Sequence, residues 1–129
     1  MRPTIVLVSP LGDHRVLVER LGRAGSYGEG PYFDQLYRGD CRFGVDSSGG
    51  VLDEFEAEEI AELSGRLGEI SAISLEYSDV SCIRDLLVDV VQGLTGILDT
   101  NFGEFIEYGD VVERFRLDPA WDWRRNVAG

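Results

Sequence analysis

Six acids crowd ten residues of this chain with no base among them: Asp53, Glu54, Glu56, Glu58, Glu59 and Glu62. Carboxylates at that density have three uses: to solvate a surface, to steer a basic partner, or to hold a divalent cation. Positions 54, 58 and 62 fall four apart, so on one helix they share a face, with Glu59 beside them and Ile60 and Leu63 turned inward. Like charges at that spacing repel by about 0.2–0.5 kcal/mol per pair. A solvated face is the plainest reading and a docking face for a basic protein the next. A metal is the weakest, because dedicated Ca²⁺ or Mg²⁺ sites converge oxygens from a loop. The chain is therefore expected to need no metal and no cofactor.

The second constellation is aromatic. Trp121 and Trp123 alternate, so in an extended segment both point to the same side. They form a lid packed over the sheet, which is the default, or an anchor for a partner. The candidate binding residues are thus Glu54, Glu58, Glu59 and Glu62 with Trp121 and Trp123, and Tyr27 or Tyr32 as further anchors.

Catalytic patterns are sparse. His14 is the one histidine, and its neighbours Asp13 and Arg15 mark it as an exposed side chain. No nucleophile or orienting acid stands beside it in sequence. Gly-x-Ser-x-Gly and His-Glu-x-x-His are both absent, so no catalytic residue is assigned. Residues 25–30 are glycine-rich, but no Gly-Lys-Ser/Thr follows and Glu29 would repel a phosphate. Asp99 and Asn101 alternate like cation ligands with Glu104 three residues on, yet a hairpin turn accounts for them. Arg38-Gly39-Asp40 is likewise turn chemistry. Cys41 and Cys82 form no Cys-x-x-Cys pair and have no histidine at ligand spacing, so both are expected as free, buried thiols.

These residues must be positioned by one domain, residues 1–129. Of the 129 residues, 43% are hydrophobic, enough to build a core without a disulfide or metal. Twenty-four acids face twelve bases, all arginine, giving a net charge of −12. That field repels nucleic acid and anionic lipid and attracts basic proteins. No apolar run reaches the ~20 residues of a membrane span, and the opening residues lack the apolar stretch of a signal peptide. With free thiols, a reducing cytoplasm is the expected compartment.

The hydrophobic periodicity alternates strands and helices. Residues 5–8 read as a buried strand, followed by a helix capped at Asp13 that carries Val16, Leu17, Leu21 and Ala24. A loop is expected over 25–31, then a hairpin over 32–45 turning at Arg38-Gly39-Asp40. Asp53 and Glu56 have capping-box spacing ahead of Ile60, Leu63 and Leu67. A strand follows over 70–77, then a helix capped at Asp79 with Ile83, Leu86, Leu87, Val90, Val91 and Leu94 on one stripe. Strands at 97–99 and 104–108 and a helix capped at Asp110 complete the pattern. The expected fold is α+β, a two-layer sandwich with three or four helices on one face of a mixed, mostly antiparallel sheet of four to six strands.

A compact, acidic, catalytically bare domain suits a non-catalytic protein-binding module. Small immunity proteins of bacterial toxin systems share this general profile, which the chain resembles in class and not through any motif. Two alternatives stay open. One is a homo-oligomeric or accessory subunit associating through residues 80–94 or the tryptophan tail. The other is a small enzyme using His14 and carboxylates.

Overall fold

Ile5 and Leu7 point to one side of the first strand and Val6 and Val8 to the other, and all four are buried. A strand apolar on both faces has to lie inside a sheet that is covered on both sides. The computed structural model, which describes residues 2–125, places it there. This strand, β1 (Thr4–Pro10), is joined by β2 (Ser26–Gly28), β3 (Asp34–Arg38), β4 (Cys41–Asp46), β5 (Ile70–Glu76), β6 (Ile97–Asp99) and β7 (Phe105–Glu107). The order is β2-β3-β4-β5-β1-β6-β7, and every neighbouring pair is antiparallel.

The helices are α1 (Leu11–Arg23), α2 (Ala57–Leu67), α3 (Val80–Val90) and α4 (Tyr108–Leu117), with a 3-10 turn at Gly50–Glu54. Ile5, Leu7, Leu75 and Leu98 pack under Leu17 and Leu21 of α1, Leu86 and Leu87 of α3, and Val111 and Phe115 of α4. On the opposite face Val6, Val8, Ala72 and Ile97 pack under Val51 and Leu63. The α+β class holds, but the sheet has seven strands and α2 covers the face expected to lie open. The extra strand is β2, three residues of glycine-rich sequence that pair with Gln35–Tyr37 and carry no apolar alternation.

Element starts differ from the capping pattern at three places. α1 begins at Leu11, directly after β1, and the Leu11 N–H bonds the Glu69 carbonyl at 2.8 Å; Asp13 lies inside its first turn. α2 begins three residues later than the Asp53–Glu56 spacing implies, because residues 50–54 form the 3-10 turn and Glu56 takes the cap position. α4 follows β7 without a break, leaving Asp110 in its first turn. The Asp79 cap stands as expected, with its carboxylate accepting the Cys82 N–H at 3.1 Å.

The two cysteines are not free. Cys41, at the tip of the β3–β4 hairpin, is bonded to Cys82 in the first turn of α3, with Cα atoms 5.7 Å apart. Forty-one residues separate them, so only the packing of that hairpin on α3 brings them together. Trp121 and Trp123 form the expected lid, both buried beside Phe115 and Tyr77.

Candidate functional site

The acids of residues 53–62 are set by the 3-10 turn and α2. Leu52, Phe55 and Leu67 pack against the cluster of Val6, Val8 and Leu63, which leaves the acids on the outer surface. Glu56 donates its backbone N–H to the Glu59 carboxylate at 3.0 Å, one arm of a capping interaction. Glu58 and Glu59 occupy the first turn of α2, where the helix dipole favours negative charge. Glu54 ends the 3-10 turn instead, so it does not share a helix face with Glu58 and Glu62.

Glu59 and Glu62 border a cleft of about 490 Å³ whose other lining residues are Asp99, Asn101, Gly103 and Phe105 of the β6–β7 hairpin. Asp99 is only 9% exposed. One of its carboxylate oxygens accepts the Asn101 N–H at 2.9 Å. Asn101 in turn donates its side-chain amide to the Thr4 carbonyl and hydroxyl oxygens at 2.9 and 3.0 Å, which fixes the hairpin against β1. Burial pushes the Asp99 carboxyl above its ordinary range; the Asn101 N–H opposes this and the charge on Glu59 adds to it.

No arginine answers this charge. From residue 43 to residue 65 the chain holds seven acids and no base. Among the described residues, none of those seven is in an ion pair. Arg66, the next base along α2, is engaged by Glu107 at 3.2 Å. Elsewhere the pattern reverses. The apolar groove of about 410 Å³ between α3 and α4 is flanked by Arg84 and Arg116, each paired with an adjacent acid.

No family model, curated protein or solved structure matches this chain.

The cleft is suited to a cation carried on a side chain. Carboxylates on two walls accept the forked donors of a guanidinium or the ammonium of a lysine. Among the described residues, no group of three or more histidines, cysteines or acids is placed to hold a metal ion.

The predicted site residues divide into two sets. Glu58, Glu59 and Glu62 lie together on α2, with Glu54 nearby in sequence on the turn. Trp121 and Trp123 belong to the core around α3 and α4, on the other side of the sheet. Of the further aromatics, Tyr32 is 89% exposed, whereas Tyr27 is half-buried with its hydroxyl donating to Asp34 at 2.7 Å. His14 is half-buried, and its Nε2 lies 3.1 Å from the Ser47 carbonyl oxygen. Among the described residues, no hydrogen bond joins it to a carboxylate.

The sequence marks Asp99 as part of a hairpin turn; its place in the cleft wall opposite Glu59 and Glu62 is what the spacing does not show. Its signal was an acid closing an apolar strand, Ile97-Leu98-Asp99, two residues before an asparagine. That pattern marks the turn, whereas the cleft arises only when α2 packs beside it.

Proposed function

We propose that this protein is a non-catalytic binding module, of the immunity or inhibitor type, that docks a basic protein. The contact surface runs from the 3-10 turn across the first turns of α2 to the cleft at Asp99. The observation carrying this reading is charge segregation: seven acids without a base in residues 43–65, none of them in an ion pair among the described residues, in a chain of net charge −12. Such a surface raises the encounter rate with a positive partner and repels nucleic acid. An arginine or lysine entering the cleft would meet Glu59, Glu62 and Asp99 together.

Compartment is part of the proposal. The cytoplasmic expectation rests on opening residues unlike a signal peptide and on free thiols; the Cys41–Cys82 bond removes the second ground and favours an oxidising compartment. No helix is long and apolar enough to cross a membrane among the described residues.

Affinity capture from lysate of the source organism tests the reading, with wild type and a Glu59→Gln/Glu62→Gln variant as baits. The expected result is one basic protein retained near stoichiometry by wild type, released at high salt, and lost or reduced with the variant. Recovery of the bait alone, or equal retention by both baits at high salt, overturns it.

A further inference from the structure

We propose that the Cys41–Cys82 bond is a site of thiol–disulfide exchange with a dithiol reductant, and that opening it frees the β3–β4 tip from α3. This inference stands apart from the acidic surface. It rests on how the tip is held.

Arg38 and Cys41 are a cross-strand pair closing the two-residue turn Gly39–Asp40, where Gly39 has φ +59°. On one side the tip overhangs the sheet, because β4 first meets β5 at Gly44, opposite Glu76. On the other side β2 reaches no further along β3 than Tyr37. Two ties therefore fasten the tip to α3, the Cys41–Cys82 bond and the Arg38–Asp89 ion pair at 2.7 Å. Cys82 and Asp89 are seven residues apart, two helical turns, so both ties land on one face of α3.

The ties are unequal. An exposed ion pair contributes little, and salt screens it. Once the disulfide is gone, the tip is left with that ion pair, the packing of the Cys41 side chain on the core and the close approach of Gly25 to the Tyr37–Arg38 backbone. Below it Leu36 and Phe43 oppose each other across the hairpin, both fully buried, and this pair confines the opening to the tip. Both cysteines are half-buried, and neither is enclosed in the core.

The exchange balances in two steps. A thiolate of the dithiol attacks one sulfur, forming a mixed disulfide while the other sulfur leaves as a thiolate. The second thiol of the reductant then resolves the mixed disulfide. The protein gains two thiols, and the reductant gives up two electrons and two protons to become a disulfide.

Residue-resolved amide exchange tests this on the full chain, oxidised and after dithiothreitol, with thiol titration to confirm opening. The expected result is about tenfold or faster exchange at residues 38–42 on reduction, more at 0.5 M salt or with Asp89→Asn, while β1 and β5 change less than about twofold. In the oxidised protein, salt and Asp89→Asn should leave the tip unchanged. A Cys41→Ser/Cys82→Ser variant should reproduce the reduced pattern; if it fails to fold, reduced wild type decides. The proposal is overturned if the bond resists dithiothreitol under native conditions. It is also overturned if the tip stays protected with both thiols free, or if β1 and β5 lose protection equally.

Discussion

Trp123 donates its indole N–H to the Tyr77 hydroxyl at 2.9 Å, and both side chains are fully buried. The rings meet edge to face, 5.9 Å between centroids, so one polar contact and one aromatic contact join the tail after α4 to the end of β5. Tyr77→Phe would leave the indole N–H buried without an acceptor, at a cost of about 1–3 kcal/mol. Trp123→Phe should cost less in that background than in the wild-type protein, so the double variant loses less than the two single changes added together. Denaturant unfolding of the four proteins gives the comparison; full additivity would mean that the hydrogen bond contributes nothing.

Gly96 is packed against Tyr108 and the β1 backbone. A Cβ there would overlap the Tyr108 ring and lie 2.7 Å from the Val8 carbonyl oxygen. The ring has no free direction, since its hydroxyl bonds both Ser9 and the Val8 carbonyl. Gly96→Ala is expected to cost about 3 kcal/mol or more through forced overpacking. Gly22→Ala, on α1 with open space around it, should be neutral or stabilising. Thermal unfolding distinguishes them, and an unperturbed Gly96→Ala protein would refute this packing.

Asp99 makes a prediction with a sign. Its folded carboxyl titrates above the ordinary carboxylate range, first because of burial. The folded state therefore binds the proton more tightly than the unfolded state, and stability falls as pH rises from the ordinary value through the raised one. Asp99→Asn keeps an acceptor for the Asn101 N–H and removes the charge. It should raise the melting temperature at pH 7 and lose that advantage in acid, below both values. A variant less stable than wild type at pH 7 would contradict the assignment.

For the acidic surface, reversing charge on α2 reads the electrostatics directly. Glu58→Arg/Glu62→Arg should slow association with the captured partner about tenfold at low salt and flatten its salt dependence. Dissociation should change less. Stopped-flow association over a salt series measures both, and an unchanged slope would remove α2 from the encounter.

Local chemistry in the sequence marked most elements of this fold. The apolar run at 5–8, the alternation at 70–77 and the stripe from Ile83 to Val90 became the elements expected, because tertiary packing there reinforces local preference, whereas Val91 and Leu94 of that stripe fall past the end of α3. Helix starts were less legible. Asp13 and Asp110 look like caps, but strands run directly into α1 and α4, and long-range carbonyls at Glu69 and Gly96 satisfy the first N–H groups instead. The disulfide was illegible for a similar reason: nothing near Cys41 or Cys82 announces a partner across the domain. At the site, the density of acids was plain in the sequence, whereas Glu54 leaving the helix and Asp99 joining the cleft depend on a 3-10 turn and a helix–hairpin contact.

The place of β1 sets a schedule for folding. It is flanked by β5 and β6, so its partners are residues 70–76 and 97–99. During synthesis this strand emerges more than sixty residues before either neighbour exists. Its two apolar faces stay uncovered over that interval, a long-range topology of the kind that folds slowly and is open to aggregation meanwhile. A nascent chain halted before residue 97 would hold β1 as a raw sheet edge, the form in which a holdase chaperone has most to protect.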